Sequence, residues 1–189
     1  MIFLKFCRHR GLRLFWGTEA SQIVELAITL PLLLVVVVGL TDFSGAFNLK
    51  FRLSNAAREA ARFAANQSTA DLSNATPASI VAVRDVVDSY LAALHINDCG
   101  LSTQLPSRSG LVWTYTANSG CAGTLTLIIN RGATFNVAGG TPAIVEATGV
   151  NISYPYQWRL SSVIRVLIPS ATYAALTQIT EGAVVQNLN

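Results

Sequence analysis

The feature that most limits what this chain can fold into is a long apolar run. Residues 23–40 read IVELAITLPLLLVVVVGL, and Glu25 is the only charged residue in that run. A stretch of about 18 residues is close to the shortest helix that crosses a bilayer core. From Leu32 to Val38 the run also lacks the polar stripe of a helix that covers a soluble core. The run therefore favours a helix that spans a membrane once.

A cleaved secretory signal is the alternative interpretation of the same run. The apolar region of such a signal is shorter, about 7–15 residues, and it ends at a cleavage site of small residues. Here Thr41, Asp42 and a second helical pattern follow directly, and no Ala-x-Ala site follows the run. The sequence therefore predicts that the helix is retained as an anchor in the lipid bilayer.

The charge distribution predicts the orientation of this helix and argues against one class of partner. Residues 1–20 carry four basic residues against Glu19, whereas residues 21–189 carry nine basic and nine acidic residues. The more basic flank of a membrane helix stays cytoplasmic, so we expect residues 1–20 to be a cytoplasmic leader and the chain beyond residue 41 to be exported. A nucleic-acid-binding protein needs a basic face on its folded part. The neutral exported part therefore predicts no nucleic-acid partner.

Cysteine usage agrees with this orientation. Cys7 falls on the reducing side of the membrane, while Cys99 and Cys121 form an even pair on the oxidising side. A disulfide between them would close a loop of about 22 residues and contribute roughly 3 kcal/mol. Two free buried thiols are the alternative.

A helical pattern continues past the apolar run. Phe43, Phe47 and Phe51 recur every four residues, which places them on one helix face. Paired alanines follow at the same spacing, and alanine is the best helix former. One helix from Ser21 to Ala65 would be about 68 Å long, against about 30 Å for a bilayer core. We expect the remainder to pack under the exported domain through Phe43, Phe47, Phe51, Ala57 and Ala61.

The rest of the chain, residues 66–189, is expected to form one exported domain. Thr76 and Pro77 form a typical helix start, a capping hydroxyl followed by a proline in the first turn, and an apolar face then runs to near His95. After Cys99 the apolar pattern changes to the alternation of strands. The expected strands are Leu111–Ala117 and Thr124–Asn130 as a hairpin, then Thr134–Val137, Ile144–Thr148, Val150–Tyr154 and Ser162–Ile168, with Ala171–Ile179 as a short helix. The connections are too short for helical crossovers, so the sequence predicts an α+β fold with an antiparallel sheet.

The sequence offers no candidate active site. His95 is the only histidine on the expected exported side, and no Gly-x-Ser-x-Gly motif occurs. His95, Asp98 and Cys99 are close in sequence, but so few mixed ligands without a second cluster are a weak metal signal. We therefore expect a protein that is not an enzyme and holds no metal or cofactor.

Glu25 is the most informative single residue, because a carboxylate in a membrane helix costs up to roughly 3 kcal/mol and is a functional candidate by default. The alternative is a side chain that reaches the headgroups from near the interface. A basic leader, a small residue, a glutamate and then an apolar helix form the layout of type IV prepilins and pseudopilins. The stretch Ser21–Ala65 resembles the TadE-like family of pilus-assembly proteins. It shares with them Pro-Leu-Leu-Leu after the carboxylate, the Gly-x-x-Asp-Phe of residues 39–43, and the run Asn55–Arg62.

The resemblance covers about a quarter of the chain, and a looser similarity follows in Val150–Trp158. It implies an extended, pilin-like first helix, a location in the bacterial inner membrane with the exported domain in the periplasm, and cleavage by a prepilin peptidase. In prepilins the glutamate is usually the fifth mature residue, which predicts a cut between Ala20 and Ser21. The residue before the cut is normally glycine, so a cut after Gly17 remains open.

The resemblance also implies a role as a minor pseudopilin in Tad/Flp pilus assembly. Its partners would be other pseudopilins and inner-membrane platform proteins. Glu25 would then neutralise the new terminal amine of a neighbouring subunit in the low-dielectric bilayer. The alternative is an unprocessed, signal-anchored scaffold or binding domain of an envelope or secretion complex.

Overall fold

Two helices precede a single sheet in the computed structural model, which describes residues 18–137, 143–159 and 176–187. Helix α1 (Thr18–Ala65) continues without interruption through Pro31. Helix α2 (Ala78–Ala93) and a short 3-10 helix (Leu101–Thr103) follow it. The strands are β1 (Ser107–Ser109), β2 (Val112–Ala117), β3 (Leu125–Val137), β4 (Ala143–Gln157) and β5 (Leu176–Gln186). The predicted α+β class is confirmed.

The sheet is an antiparallel meander in which each strand pairs with the next in sequence, in the order β1-β2-β3-β4-β5. The predicted hairpin forms, with Val112 opposite Asn130 and Ala117 opposite Leu125. The shorter strands expected after it are parts of two long strands, β3 and β4, which pair from Thr126 opposite Ser153 to Val137 opposite Ala143. One irregularity interrupts that pairing, between Asn130 and Ala133.

The C-terminal prediction needs a correction. Residues 176–179, predicted as the end of a short helix, are the beginning of β5. Residues 171–175 and the predicted strand Ser162–Ile168 lie outside the described residues. Leu176–Gln186 is rich in Thr, Ile and Val, which favour a pleated surface, and its side chains alternate between exposed and half-buried. The neighbouring strand β4 pairs with it along its whole length, and this pairing outweighs the alanine-rich start that suggested a helix.

The cap of α2 also differs from the expectation. Pro77 has an extended backbone at the start of the helix, and no side-chain cap comes from that position. The carboxylate of Asp71 instead accepts hydrogen bonds from the backbone N–H and the hydroxyl of Ser79, both at 2.8 Å. Burial alone would raise the pKa of Asp71, but the two bonds from Ser79 outweigh it and hold that pKa below its ordinary value.

The core lies where the second half of α1 meets α2 and the sheet. The alanine face of α1 is fully buried there, including Ala57 and Ala61. Alanine side chains let the helix axis approach the sheet closely, as the repeated pairs predicted. The largest fully buried side chains around them are Trp113, Tyr115, Leu53, Ile80, Leu91, Leu101, Leu125, Leu127, Ile129 and Ile152.

The phenylalanine stripe is not part of this core. Phe43, Phe47 and Phe51 are 52%, 57% and 68% exposed, so the prediction that they form ordinary core packing is wrong. Phe43 keeps one edge-on ring contact with Trp158 of the domain. At 100° per residue they lie about 100–180° around the helix from Asp42, which is the first buried residue of α1. The four-residue period correctly indicates that the three rings share a face. It does not indicate which arc of the helix the domain covers.

Candidate assembly surface on the first helix

The first half of α1 is uncovered. No residue from 21 to 41 is buried, whereas Asp42 is 3% exposed and Leu53 is fully buried. By length and composition α1 could cross a membrane, and none of its most apolar window is buried against the described domain. The long helix therefore has two parts, an apolar part that stands free and a part that carries the domain.

The predicted cleavage site lies among the first described residues of α1. Ala20 and Ser21 have a helical backbone there. Cleavage between them follows from the family resemblance and stays a prediction.

Glu25 lies on the same side of α1 as the exposed phenylalanines. Eighteen residues separate Glu25 from Phe43, which is about five whole turns at 3.6 residues per turn. Both side chains are exposed, and the axial distance between them is about 27 Å. The structure thus joins two features of the sequence, the carboxylate and the aromatic stripe, into one continuous uncovered face. We call this the Glu25–Phe51 face.

The sheet holds α1 at the level where the uncovered part ends. The hydroxyl of Tyr156, at the end of β4, donates a hydrogen bond of 3.1 Å to the backbone carbonyl of Asp42. A Cβ on Gly45 would lie 2.7 Å from the same hydroxyl, so a larger residue there would displace the end of the Tyr156 side chain. Lys50 forms an ion pair of 3.4 Å with Glu181 of β5. These contacts fix the position of the helix relative to the sheet.

A second attachment point, which the sequence did not predict, lies at the other end of α1. Arg131, on β3, is 5% exposed. Its guanidinium donates hydrogen bonds to the backbone carbonyl of Ala64, to the hydroxyl of Thr148 and to the backbone carbonyl of Gln67. The last carbonyls of a helix carry partial negative charge, so the buried guanidinium is favourable there and adds to the bond that the Gln67 N–H donates to the Ala64 carbonyl. A lone arginine in an apolar strand, followed by Gly132, is the only sequence signal of this contact.

The two cysteines of the described domain are joined in the structure. Cys99 and Cys121 form a disulfide with their Cα atoms 5.4 Å apart, as the sequence predicted. The bridge connects the loop after α2 to the turn between β2 and β3. Two hydrogen bonds reinforce the same junction, from the Ser119 N–H to the Cys99 carbonyl and from the Asn97 side chain to the Gly120 carbonyl, each at 2.8 Å.

The weak metal signal around His95 can now be placed. Cys99 is committed to the disulfide, and no group of three or more His, Cys, Asp or Glu side chains in the described residues could hold a metal ion. Asp98 instead shares a hydrogen bond with Asp88 of α2. Burial, together with this bond and the negative charge of Asp98, raises the pKa of Asp88 to about 6.

Comparison with known proteins supports the resemblance drawn from the motifs. Residues 20–62 match the family described as TadE-like protein, which confirms the resemblance over that segment. The match begins at the alanine before the predicted cut and ends within the buried alanine face of α1. It therefore covers both parts of the long helix and less than a quarter of the chain. No curated protein and no solved structure matches the chain.

Proposed function

We propose that this chain, whose residues 20–62 are TadE-like, is a membrane-anchored, pseudopilin-like protein that takes part in the assembly of a Tad/Flp-type type IV pilus. The basic leader lies in the cytoplasm, the apolar part of α1 spans the inner membrane, and the α+β domain lies in the periplasm. The partners are the prepilin peptidase, other pseudopilins and the inner-membrane platform proteins of the same machine. The chain has no catalytic role of its own.

The observation that carries this proposal is the division of α1 into an uncovered apolar part and a covered part. An anchored enzyme or scaffold needs only the first part, followed by a linker of any kind. Here the same helix continues for more than 20 residues beyond Thr41 and forms one side of the domain core. A subunit that has to be pulled from the membrane with its domain in a fixed orientation needs such a continuous helix.

Processing is the second element of the proposal. A cut after Ala20 removes the four basic residues of the leader and makes Ser21 the new amino terminus. Glu25 then lies about 6 Å further along the helix axis. The uncovered carboxylate can meet the terminal amine of a neighbouring subunit, and the pair is strong because the surrounding lipid has a low dielectric constant.

The deciding experiment is the intact mass and N-terminal sequence of the protein purified from its native membrane. A start at Ser21 supports the proposal. A start at Met1 would favour the alternative, an unprocessed scaffold or binding domain of an envelope or secretion complex. A start beyond Leu40 would mean that the apolar run is a signal peptide, and the proposal would fail.

A matched pair of variants locates the cut. If the bond after Ala20 is cleaved, Ala20→Leu blocks processing, because the peptidase requires a small residue there, while Gly17→Leu leaves processing unchanged. The opposite pattern would place the cut after Gly17 and make Glu25 the eighth mature residue.

A further inference from the structure

Three aromatic rings cluster where the uncovered part of α1 meets the domain. The ring of Phe43 lies edge-on to Trp158 with centroids 5.3 Å apart, and Tyr156 lies edge-on to the same indole at 5.1 Å. Phe43 keeps 52% of its surface exposed, while Tyr156 and Trp158 are half-buried. We call these three residues the junction cluster.

The polar atoms of the junction cluster point into the protein. The Trp158 indole N–H donates a hydrogen bond of 2.7 Å to the hydroxyl of Thr177, and the Tyr156 hydroxyl donates to the Asp42 carbonyl. The surface that remains open is therefore mainly hydrocarbon.

The position of the junction cluster along the axis of α1 indicates which surroundings cover its exposed side. From Ile23 to Phe43 the helix rises about 30 Å, which is the thickness of a bilayer core. The hydrogen bond from Tyr156 to Asp42 holds the end of β4 at the same height. If the apolar part of α1 spans the membrane, no free helix remains between the bilayer and the domain.

We infer that the junction cluster rests in the lipid headgroup region, so that this end of the domain is docked directly on the outer surface of the membrane. Aromatic side chains are enriched at that depth. Arg159, which is exposed directly after Trp158, provides a cation at the height of the lipid phosphates. The inference rests on the proposed membrane anchor. It adds that the sheet, and not the helix alone, contacts lipid.

Fluorescence quenching in nanodiscs tests this contact with the full chain. The protein has three tryptophans, and Trp113 is fully buried in the domain core. We compare Trp16→Phe with Trp16→Phe/Trp158→Phe, in discs of phosphatidylcholine with and without brominated acyl chains. Brominated lipid should reduce the emission of the first protein and leave the second, which retains only Trp113, unchanged.

A matched pair of phenylalanine variants sharpens the test. Phe43→Gln in the Trp16→Phe background should reduce the quenching of Trp158, because the indole loses its apolar neighbour at the interface. Phe51→Gln should not, because Phe51 lies about 12 Å further from the membrane along the helix. Equal emission of the Trp16→Phe protein in brominated and ordinary discs would overturn the inference.

The result also separates this inference from the proposed function. A chain that inserts in the discs but shows no quenching of Trp158 would leave the anchor intact and remove the docked domain. A chain that does not float with lipid vesicles would overturn both. Quenching of Trp158 in a chain that starts at Met1 in its native membrane would support the docking and contradict the processing.

Discussion

Glu25 is a carboxylate on a helix face that the domain of the same chain leaves open. It is in phase with Phe43 because about five whole turns separate the two residues. A side chain that only reached the headgroups would not need any fixed relation to an aromatic stripe further along the helix. The shared face favours a role in contact with a neighbouring helix.

We expect Glu25→Leu to insert in the membrane normally and to fail in pilus assembly, because the variant removes the charge that pairs with the neighbouring amine. Thr29→Leu is the matched control, since Thr29 lies one turn further along the same side of α1. Membrane fractionation, co-purification with partner subunits and filament counts measure the two effects. Normal filament counts with Glu25→Leu would contradict the pairing role.

Asp88 makes part of the stability dependent on pH. Its pKa is raised from 3.8 to about 6, by burial first and then by the hydrogen bond and charge of Asp98. A raised acid pKa contributes stability that is complete below pH 3.8 and is lost as the pH rises through about 6. Asp98 has a lowered pKa, so the stability it contributes is lost only when the pH falls into the acidic range. Between pH 5 and 7.5 the stability that Asp88 contributes therefore decreases as the pH rises.

The Asp88→Asn variant should lose this dependence, because its amide donates a hydrogen bond to Asp98 at every pH. We expect a higher Tm than the unmodified protein at about pH 7.5 and a similar Tm at about pH 5. Thermal unfolding in detergent, followed by circular dichroism at both pH values, measures this. Glu59→Gln, an exposed change on α1, should leave the pH dependence intact. An unchanged slope in Asp88→Asn would rule out Asp88 as its source.

At the scale of elements, the sheet attaches to α1 at two levels, through Tyr156 at Asp42 and through Arg131 at the far end. Replacing Arg131 by Met should remove the hydrogen bonds that the guanidinium donates to the Ala64 and Gln67 carbonyls and to the Thr148 hydroxyl. We expect a loss of about 2–4 kcal/mol in the free energy of unfolding.

Chemical denaturation of the full chain in detergent measures this loss. Arg58→Met, on the exposed side of the same helix, is the control and should change the free energy by less than about 0.5 kcal/mol. Similar values for the two variants would mean that Arg131 does not hold the end of α1.

The disulfide joins the loop after α2 to the turn between β2 and β3. Replacing Cys99 and Cys121 together by Ser should lower the free energy of unfolding by roughly 3 kcal/mol, because the unfolded chain regains the freedom of the closed loop. Cys7→Ser should have no such effect. In the unreduced full-length chain, thiol labelling should modify only Cys7, and in the chain cut after Ala20 it should modify no cysteine. Labelling of all three cysteines would contradict the bridge.

At the scale of the whole molecule, local sequence patterns predicted the elements whose formation depends on neighbouring residues. The apolar run, the alanine pairs and the alternating strands each predicted their element, because burial follows periodicity. The contacts of Arg131 with Ala64 and Gln67 join positions more than 60 residues apart, and no local pattern encodes them. The exposure of Phe47 likewise depends on how far the sheet extends around α1. The prediction of helix for residues 176–179 is wrong because pairing with β4 decides the conformation of that segment.

Because α1 is unbroken, the angle around the helix axis between any two of its residues is fixed by the number of residues between them. One residue inserted between Leu32 and Gly39 would turn Glu25 by about 100° relative to Phe43, whereas seven inserted residues would restore the angle to within about 20°. A hinged anchor would absorb either change. In this chain the direction in which Glu25 points from the apolar part of α1 is set by the same backbone that positions the sheet. Side chains at the two ends of the helix can therefore be changed separately, but neither end can rotate without the other.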